Sequence, residues 1–306
     1  MYNKINSNIN FNGNMFQRIQ ERRQRSADNR LDKFIAEMAK RANSKEKVPI
    51  QYNLKRGTEI LLGIDNNRQL VKSNLIPGSF EPERYCIFLH GGTSTIPNYQ
   101  YFIEWLNLDF TNVLAVEYPG YGKNKRLKPT YTNILETAKS AYDYLRNTLK
   151  VKPENINILG YCFGAPVATD LASKVDCHSL MLLSPITSLT QMSKGYLDSK
   201  KTYLRFFEKV KNFFALRFHT RPIKFDKLNT FSGIENINCP IYLMSSHDDP
   251  VTGIKWADNF LEYASKKGKQ VTYIQGFEAG HALTKSKANF LAKLMRTMSK
   301  NPLAFF

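Results

Sequence analysis

The segment INILGYCFGA, residues 156–165, decides the fold of this 306-residue chain. Its first four residues predict an apolar β-strand, and the small residues from Ala165 to Ala172 predict a helix. Gly160 and Gly164 lie two positions either side of Cys162, a spacing that permits a tight strand-to-helix turn with a strained middle residue. We interpret this turn as a nucleophile elbow that holds the thiol at a helix N-terminus, where the helix dipole favours a thiolate. The alternative is a structural cysteine buried between two glycines.

An oxyanion-binding loop is predicted upstream of the elbow. The apolar run from Tyr85 to Leu89 is typical of a strand, and it ends at His90, Gly91 and Gly92. Backbone N–H groups of such a glycine turn can point toward a developing oxyanion. We expect Gly92 to be one donor and Phe163, the residue after the nucleophile, to be the other. Gly91 supports the turn, and His90 is expected to be structural.

A carboxylate and a histidine follow two later strands. Residues 241–244 and 271–274 are short apolar runs; Asp248 and Asp249 follow the first, and His281 follows the second. The carboxyl ends of parallel strands share one edge of a sheet, so these side chains can meet above the elbow. The chain order of nucleophile, acid and histidine predicts a triad with His281 as general base. The adjacent aspartates leave the identity of the acid open.

Together these elements resemble the α/β-hydrolase superfamily over roughly residues 50–300. The run 113–122, a strand followed by Tyr-Pro-Gly-Tyr-Gly, is similar to the depalmitoylase-like branch, which uses serine. The elbow Gly-Tyr-Cys-Phe-Gly-Ala resembles those of dienelactone hydrolases and polyhydroxyalkanoate synthases, which use cysteine. The resemblance implies an α/β fold, a mostly parallel central sheet flanked by helices, with a helical cap inserted after the sixth strand. It favours Asp249 as the acid, because Asp-Pro-Val matches the superfamily's Asp-x-Val pattern, with Asp248 as the alternative.

Two parts are predicted along the chain: a basic extension over residues 1–47 and a hydrolase domain over residues 48–306 that includes a cap over 187–236. The domain begins with β-like segments and then alternates strands with helices, which is typical of right-handed crossovers and a mostly parallel sheet. The opening antiparallel meander is predicted at 48–54, 59–64 and 69–75, and a helix at 131–149.

The extension contains a short amphipathic helix. Leu31, Phe34, Ile35 and Met38 recur at helical spacing, with Asp28 as the expected N-cap. An apolar stripe of this kind either packs on the core or binds a membrane surface or a partner.

The predicted cap carries an aromatic stripe on its central helix. Phe206, Phe207, Val210 and Phe213 follow helical spacing, with lysines and arginines largely off that stripe. The stripe either buries itself on the core or lines an acyl-accepting cleft above the elbow.

The net charge of +18 and the pI near 9.6 favour a polyanionic partner. Residues 1–47 hold eleven basic and five acidic side chains, and residues 187–236 hold ten and four, which together make two-thirds of the excess. We expect peripheral contact with an anionic membrane or an acidic protein. No helix-turn-helix, RNP-like or zinc-finger pattern is present in the sequence, so nucleic acid is not an expected partner.

No metal site, cofactor or disulfide framework is expected. The four cysteines fall in or beside predicted strands without metal-like spacing. No apolar run is long enough to span a bilayer, and the asparagine-rich N-terminus has no signal-peptide core. The chain is expected to be cytoplasmic or peripheral to a membrane, with secretion by a non-classical route left open.

These features predict an esterase or thioesterase that acts through a thioester acyl-enzyme on a substrate with an apolar acyl part. The same cysteine also suits an acyltransferase or polymer synthase, because a thioester can pass its acyl group to acceptors other than water. A non-catalytic, hydrolase-like binding or effector protein is the third possibility. A cysteine that replaces a natural serine would leave the same triad.

Overall fold

The computed structural model describes residues 2–44, 58–64, 69–76, 84–107, 112–186, 229–252, 254–275 and 280–300. Eight strands are present in these ranges: β1 Thr58–Ile64, β2 Gln69–Ile76, β3 Tyr85–Leu89, β4 Asn112–Val116, β5 Ile156–Tyr161, β6 Ser179–Leu183, β7 Ile241–Met244 and β8 Val271–Ile274. The α-helices in the same ranges are α1 Tyr2–Ser44, α2 Gln100–Asn107, α3 Tyr131–Asp143, α4 Gly164–Ala172, α5 Ile254–Lys266 and α6 Lys285–Lys300.

The described strands form one sheet in the order β1-β2-β4-β3-β5-β6-β7-β8. Six neighbouring strands, β4, β3, β5, β6, β7 and β8, pair in parallel. At one edge, β1 pairs antiparallel with β2, and β2 pairs antiparallel with β4. This arrangement confirms the predicted α/β-hydrolase fold with its mostly parallel sheet. The helix expected over 131–149 is α3 followed by a π-helical turn, Tyr144–Thr148. The meander strand predicted at 48–54 lies outside the described residues.

Helices cover both faces of the sheet because its central strands are apolar on both sides. In β3, Ile87 and Leu89 face a core that α1, α3, α4 and α5 complete. Cys86 and Phe88 point the other way, into a second core completed by α2 and α6. Four of the five residues of β3 are buried, and all of those in β5 are, so the centre of the sheet is shielded from water.

The chain reverses its direction of progress across the sheet at β3. From β3 it moves to β4 on one side, and then crosses back to β5 on the other. In open α/β sheets, a crevice forms beyond the carboxyl ends of the two strands that flank such a switch point. Residues 90–92 follow β3 and Cys162 follows β5, so the topology brings the predicted oxyanion loop and elbow to this crevice.

Helix α1 is 43 residues long, so the expectation of a short helix is wrong. Asp28 lies in its interior and accepts a 2.9 Å hydrogen bond from Gln24, one turn earlier, so it is not the N-cap. Helix continues on the N-terminal side of Asp28 because residues 15–26, rich in arginine and glutamine, favour helix without carrying the apolar stripe that predicts it further along. Leu31, Ile35 and Met38 are buried on the core. No helix among the described residues is long and apolar enough to cross a bilayer.

The predicted cap lies largely outside the described residues, including its proposed lining residues Phe206, Phe207, Val210 and Phe213. The residues on either side of 187–228 are described and they meet: Thr230 donates a hydrogen bond to the carbonyl of Ile186. The Ile186 N–H in turn donates to the Cys162 carbonyl, 3.4 Å away. The residues that flank 187–228 therefore lie next to the elbow.

Candidate active site

Cys162 occupies a strained turn between β5 and α4. Its φ is +52°, in the left-handed region that residues other than glycine seldom adopt. The turn is held in place by the Cys162 N–H, which donates to the carbonyl of Leu183 at the end of β6 (3.0 Å).

The two elbow glycines have steric reasons for lacking side chains. A Cβ on Gly164 would overlap the carbonyl of Leu89, and a Cβ on Gly160 would fall 2.7 Å from the Cα of Ala165. Strand β3 and helix α4 can therefore approach the turn closely only if both positions are glycine.

His281 and Asp249 form a hydrogen-bonded pair near the elbow. The Nδ1 atom of His281 lies 2.9 Å from Oδ2 of Asp249. The carboxylate is buried and also accepts hydrogen bonds from the Val251 N–H, the Thr252 N–H and the Thr252 hydroxyl, at 2.8, 3.0 and 2.6 Å. Burial disfavours the charged carboxylate and would raise its pKa. The hydrogen bond and charge of His281, together with the two hydrogen bonds from Thr252, outweigh burial and hold the pKa of Asp249 below its ordinary value.

The imidazole of His281 connects this carboxylate to the thiol. Burial alone would lower the pKa of His281, but the charge of Cys162 and hydrogen bonds to Asp249 and Cys162 raise it to about 10. The imidazole therefore lies between a carboxylate and a sulfur, and both neighbours favour its protonated form. Such a histidine can hold the proton of the thiol and later deliver it to a leaving group.

Asp248, the alternative acid, contacts the histidine loop through the backbone. Its Oδ1 accepts a hydrogen bond from the N–H of Gly280, 2.9 Å away, while its neighbour Asp249 contacts the imidazole. The side chain is exposed, whereas that of Asp249 is buried. The two aspartates thus hold the same loop at different points.

A buried lysine, which no sequence motif indicated, donates hydrogen bonds to the backbone of the histidine loop. The Nζ atom of Lys287 donates to the carbonyls of Gly280 and Ala282, both at 2.8 Å. Between them, the carbonyl of His281 accepts a 2.7 Å hydrogen bond from the Tyr161 hydroxyl. Three consecutive carbonyls are therefore fixed, which orients the histidine side chain. Only an unusual lysine at a core-facing helical position could have signalled this role in the sequence.

The loop after β3 is fixed in a similar way by the Tyr-Pro-Gly-Tyr-Gly segment. The Tyr118 hydroxyl donates to the carbonyl of His90, and the Tyr121 hydroxyl donates to that of Gly92, both at 3.0 Å. A Cβ built on Gly92 would lie 3.2 Å from Cβ of Phe163, so the two expected oxyanion donors are neighbours. Among the described residues, neither amide N–H has a hydrogen-bond acceptor.

Gly91 is enclosed by two tyrosines. A Cβ at this position would lie 3.0 Å from both the ring of Tyr161 and the hydroxyl of Tyr99. The position therefore has no room for a side chain without movement of its neighbours.

His90 lies in a buried polar cluster. Its Nε2 lies 3.2 Å from Oε1 of Glu117, its Nδ1 lies 2.8 Å from the carbonyl of Gly91, and its ring stacks on Tyr118 with the centroids 4.0 Å apart. Glu117 also accepts a hydrogen bond from the Ile96 N–H. These contacts brace the start of the oxyanion loop.

Helix α1 contacts the same loop from the other side. A Cβ on Gly92 would lie 2.7 Å from the sulfur of Met38, so this side chain rests directly on the glycine. Asn43 binds both the Gly120 carbonyl and the Gly122 N–H, at 2.8 and 2.9 Å. Residues from the extension therefore help to shape the candidate site.

No group of three or more histidine, cysteine, aspartate or glutamate side chains in the described ranges is arranged to hold a metal ion. The groups that the candidate site brings together are a sulfur, an imidazole and a carboxylate.

A family model for the alpha/beta hydrolase fold matches residues 87–278, and the chain belongs to that family. The human alpha/beta hydrolase domain-containing protein 17B is 24% identical over 215 residues, covering 70% of this chain and 66% of the relative. The Xenopus tropicalis alpha/beta hydrolase domain-containing protein 17C is 25% identical over 226 residues, covering 73% and 63%. The chain thus spans just under two thirds of the length of these relatives.

Solved structures are similar in fold. An esterase of Pyrococcus furiosus, Pf2001, superposes with a TM-score of 0.65 at 19% identity and covers 83% of this chain and 94% of its own. An alpha-beta hydrolase from Vibrio vulnificus gives 0.64 at 18% identity, with coverages of 89% and 91%. The predicted resemblance to the α/β-hydrolase superfamily is confirmed.

Proposed function

We propose that this chain is an acyl hydrolase, an esterase or thioesterase, in which Cys162 is the nucleophile, His281 the general base and Asp249 the residue that orients the imidazole. The observation that carries the proposal is the chain of contacts from a buried carboxylate, through a raised-pKa histidine, to a cysteine in a strained elbow. A purely structural cysteine would need none of these three features.

The reaction follows from the positions of these groups. The Cys162 thiolate attacks the carbonyl carbon, and the N–H groups of Gly92 and Phe163 stabilise the oxyanion. When the intermediate collapses, His281 gives its proton to the departing alkoxide or thiolate, and a thioester remains on the cysteine. Water then attacks that thioester while His281 accepts a proton, which releases the acid and restores the thiol.

The substrate is proposed to carry an apolar acyl part. Ile186 and Thr230, which flank the part of the predicted cap outside the described residues, lie beside the elbow, which is where a covering element would contact an acyl chain. The resemblance of the Tyr-Pro-Gly-Tyr-Gly segment to depalmitoylase-like hydrolases favours the same class of substrate. Both esters and thioesters of such acids are expected to acylate Cys162.

The test compares three proteins on short and long p-nitrophenyl esters and on acyl-CoA. The wild-type protein and a Cys177→Ala control, which removes a thiol at the opposite end of the sheet, are expected to hydrolyse a substrate at equal rates. Cys162→Ala is expected to lose at least 10³-fold in kcat/KM. Equal rates for all three proteins would show that the hydrolysis does not use the elbow. Mass spectrometry of trapped acyl-enzyme, with and without added alcohols and amines, separates hydrolysis from acyl transfer.

We also propose that α1 makes peripheral contact with an anionic membrane. Arg18, Arg22 and Arg25 are exposed and recur at i, i+4 and i+7, which puts them on the face of the helix opposite the buried stripe. Their replacement by glutamine is expected to abolish co-sedimentation with phosphatidylserine vesicles at 0.1 M salt, whereas glutamine at exposed Lys139 and Lys174 leaves it unchanged. Equal binding by both variants would overturn this assignment, as would binding to an acidic protein alone.

A further inference from the structure

Two cysteines meet at the end of the sheet opposite the elbow. The thiol of Cys177 donates a hydrogen bond to Sγ of Cys239, and the two sulfurs are 3.4 Å apart. Each cysteine lies two residues before a strand, β6 or β7, and these strands are parallel neighbours. Strand pairing therefore brings together two thiols that are 62 residues apart in the sequence.

The pair is open to small reagents. Both cysteines are partly exposed, and they line a cleft of about 410 Å³ together with Glu154, His178 and Asn238. By contrast, Cys86 is completely buried, and burial raises the pKa of its thiol to about 12. Of the described cysteines outside the candidate active site, these two have the access that chemistry with a solute requires.

The surroundings of the pair favour a thiolate on one sulfur and a proton on the other. The hydrogen bond from Cys177, together with nearby backbone N–H groups and the charge of Lys269, outweighs burial and lowers the pKa of Cys239. Lys269 is held in place by its 2.7 Å hydrogen bond to the carbonyl of Ile237. The direction of the hydrogen bond from Cys177 therefore favours Cys239 as the attacking sulfur and Cys177 as the one that resolves the product.

We propose that Cys177 and Cys239 are a reversible thiol redox site that peroxides oxidise to a disulfide. The Cys239 thiolate attacks one oxygen of hydrogen peroxide, the O–O bond breaks, and a sulfenic acid and one water form after protonation. Cys177 then loses its proton and attacks the sulfur of Cys239; the S–S bond forms, the S–O bond breaks, and the hydroxide leaves as a second water. The two sulfurs lose two electrons in total, and peroxide gains them.

The disulfide would close a loop that contains all of residues 187–228. Such a link removes conformational freedom from the unfolded chain, so it is expected to raise Tm by several degrees. Because the link lies at the opposite end of the strands from Cys162, it is expected to leave esterase rates within twofold. The proposal does not depend on Cys162 being catalytic, and a failure of either proposal leaves the other standing.

The experiment treats the whole reduced protein with hydrogen peroxide and maps its cysteines by mass spectrometry. Trypsin places each cysteine in a separate peptide, and those of Cys177 and Cys239 span 175–194 and 228–255. The expected product is a link between these two peptides, 2 Da lighter than their sum, that dithiothreitol reverses. Phenylarsine oxide binds paired thiols. When it is added before peroxide, it is expected to prevent formation of the link.

Matched variants decide the outcome. Cys177→Ser and Cys239→Ser are each expected to abolish both the link and the rise in Tm, while reduced Tm values stay close to wild type. Cys239 in the Cys177→Ser protein is expected to proceed to sulfinic acid, because the resolving thiol is gone. Links to Cys86 or Cys162 instead, or sulfinic acid on Cys239 in the wild-type protein without any link, would overturn the proposal.

Discussion

The replacement of Lys287 by methionine tests whether the hydrogen bonds of this lysine to the backbone position the histidine loop. Methionine keeps the length and apolar stem of the lysine but cannot donate to the carbonyls of Gly280 and Ala282. Each hydrogen bond to a charged group contributes about 1.5–3 kcal/mol to stability, and the substitution removes two of them. Removal of a buried ammonium, whose pKa is lowered by burial, recovers part of this. We expect a net loss of about 2–4 kcal/mol in the free energy of unfolding.

The effect on catalysis is expected to be larger on kcat than on KM. Lys287 is completely buried and donates to the backbone of the loop, so the substrate is not expected to contact it. A displacement of the imidazole by about 1 Å costs on the order of 100-fold in rate, because the proton must be held in line with the sulfur. The assay is steady-state hydrolysis of a p-nitrophenyl ester together with thermal unfolding.

Two further variants make the result interpretable. Lys285→Met, an exposed lysine in the first turn of the same helix, is expected to change neither kcat nor Tm. Tyr161→Phe removes one neutral hydrogen bond to the His281 carbonyl and is expected to lower kcat several-fold in a folded protein. If Lys287→Met keeps its Tm and a kcat within twofold of wild type, and Tyr161→Phe does the same, the loop does not need these contacts.

Three other outcomes follow from the structure. The alkaline limb of kcat/KM is expected near pH 10, because His281 holds the proton that it gives to the leaving group below its raised pKa and loses that proton above it. Asp249→Asn is expected to move this limb to lower pH, since the carboxylate helps to raise the pKa. An alkaline limb near pH 6.5 in the wild-type profile would contradict the raised pKa of His281. Gly164→Ala is expected to prevent soluble folding, whereas Gly63→Ala, where a Cβ meets nothing within 4 Å, is not; comparable soluble yields of both count against the elbow geometry. Met38→Ala is expected to lower the free energy of unfolding by about 2–5 kcal/mol in urea titrations, because the side chain is buried. Met15→Ala, at an exposed position of the same helix, is expected to change it very little. Equal losses would mean that α1 does not pack on the core.

The sheet could be predicted from the sequence because each central strand is a short apolar run that ends in a distinctive loop. β3, β7 and β8 begin and end at the predicted residues. Glycine spacing around Cys162 likewise reflects a local steric need that any elbow shares. Local patterns thus carry both the strands and the loops that follow them.

Contacts between distant segments could not be predicted in this way. The hydrogen bond of Lys287 to the Gly280 carbonyl depends on how α6 packs. Nothing in the sequence distinguishes this lysine from the other members of a set of 44 lysines and arginines. The approach of Cys177 to Cys239 requires the strand order, and the contact of Met38 with Gly92 requires the path of α1. These are properties of the assembled fold, which periodicity along one segment does not contain.

The great length of α1 places several exposed arginines far from the candidate site. Measured along the helix axis, Arg25 and Arg18 lie about 20 and 30 Å from Met38, the residue that touches the oxyanion loop. At physiological ionic strength, the Debye length is about 8 Å. The field of these guanidinium groups is therefore screened before it reaches the elbow, so salt is expected to weaken the proposed binding of α1 to an anionic membrane and to leave the proposed hydrolysis at Cys162 unchanged.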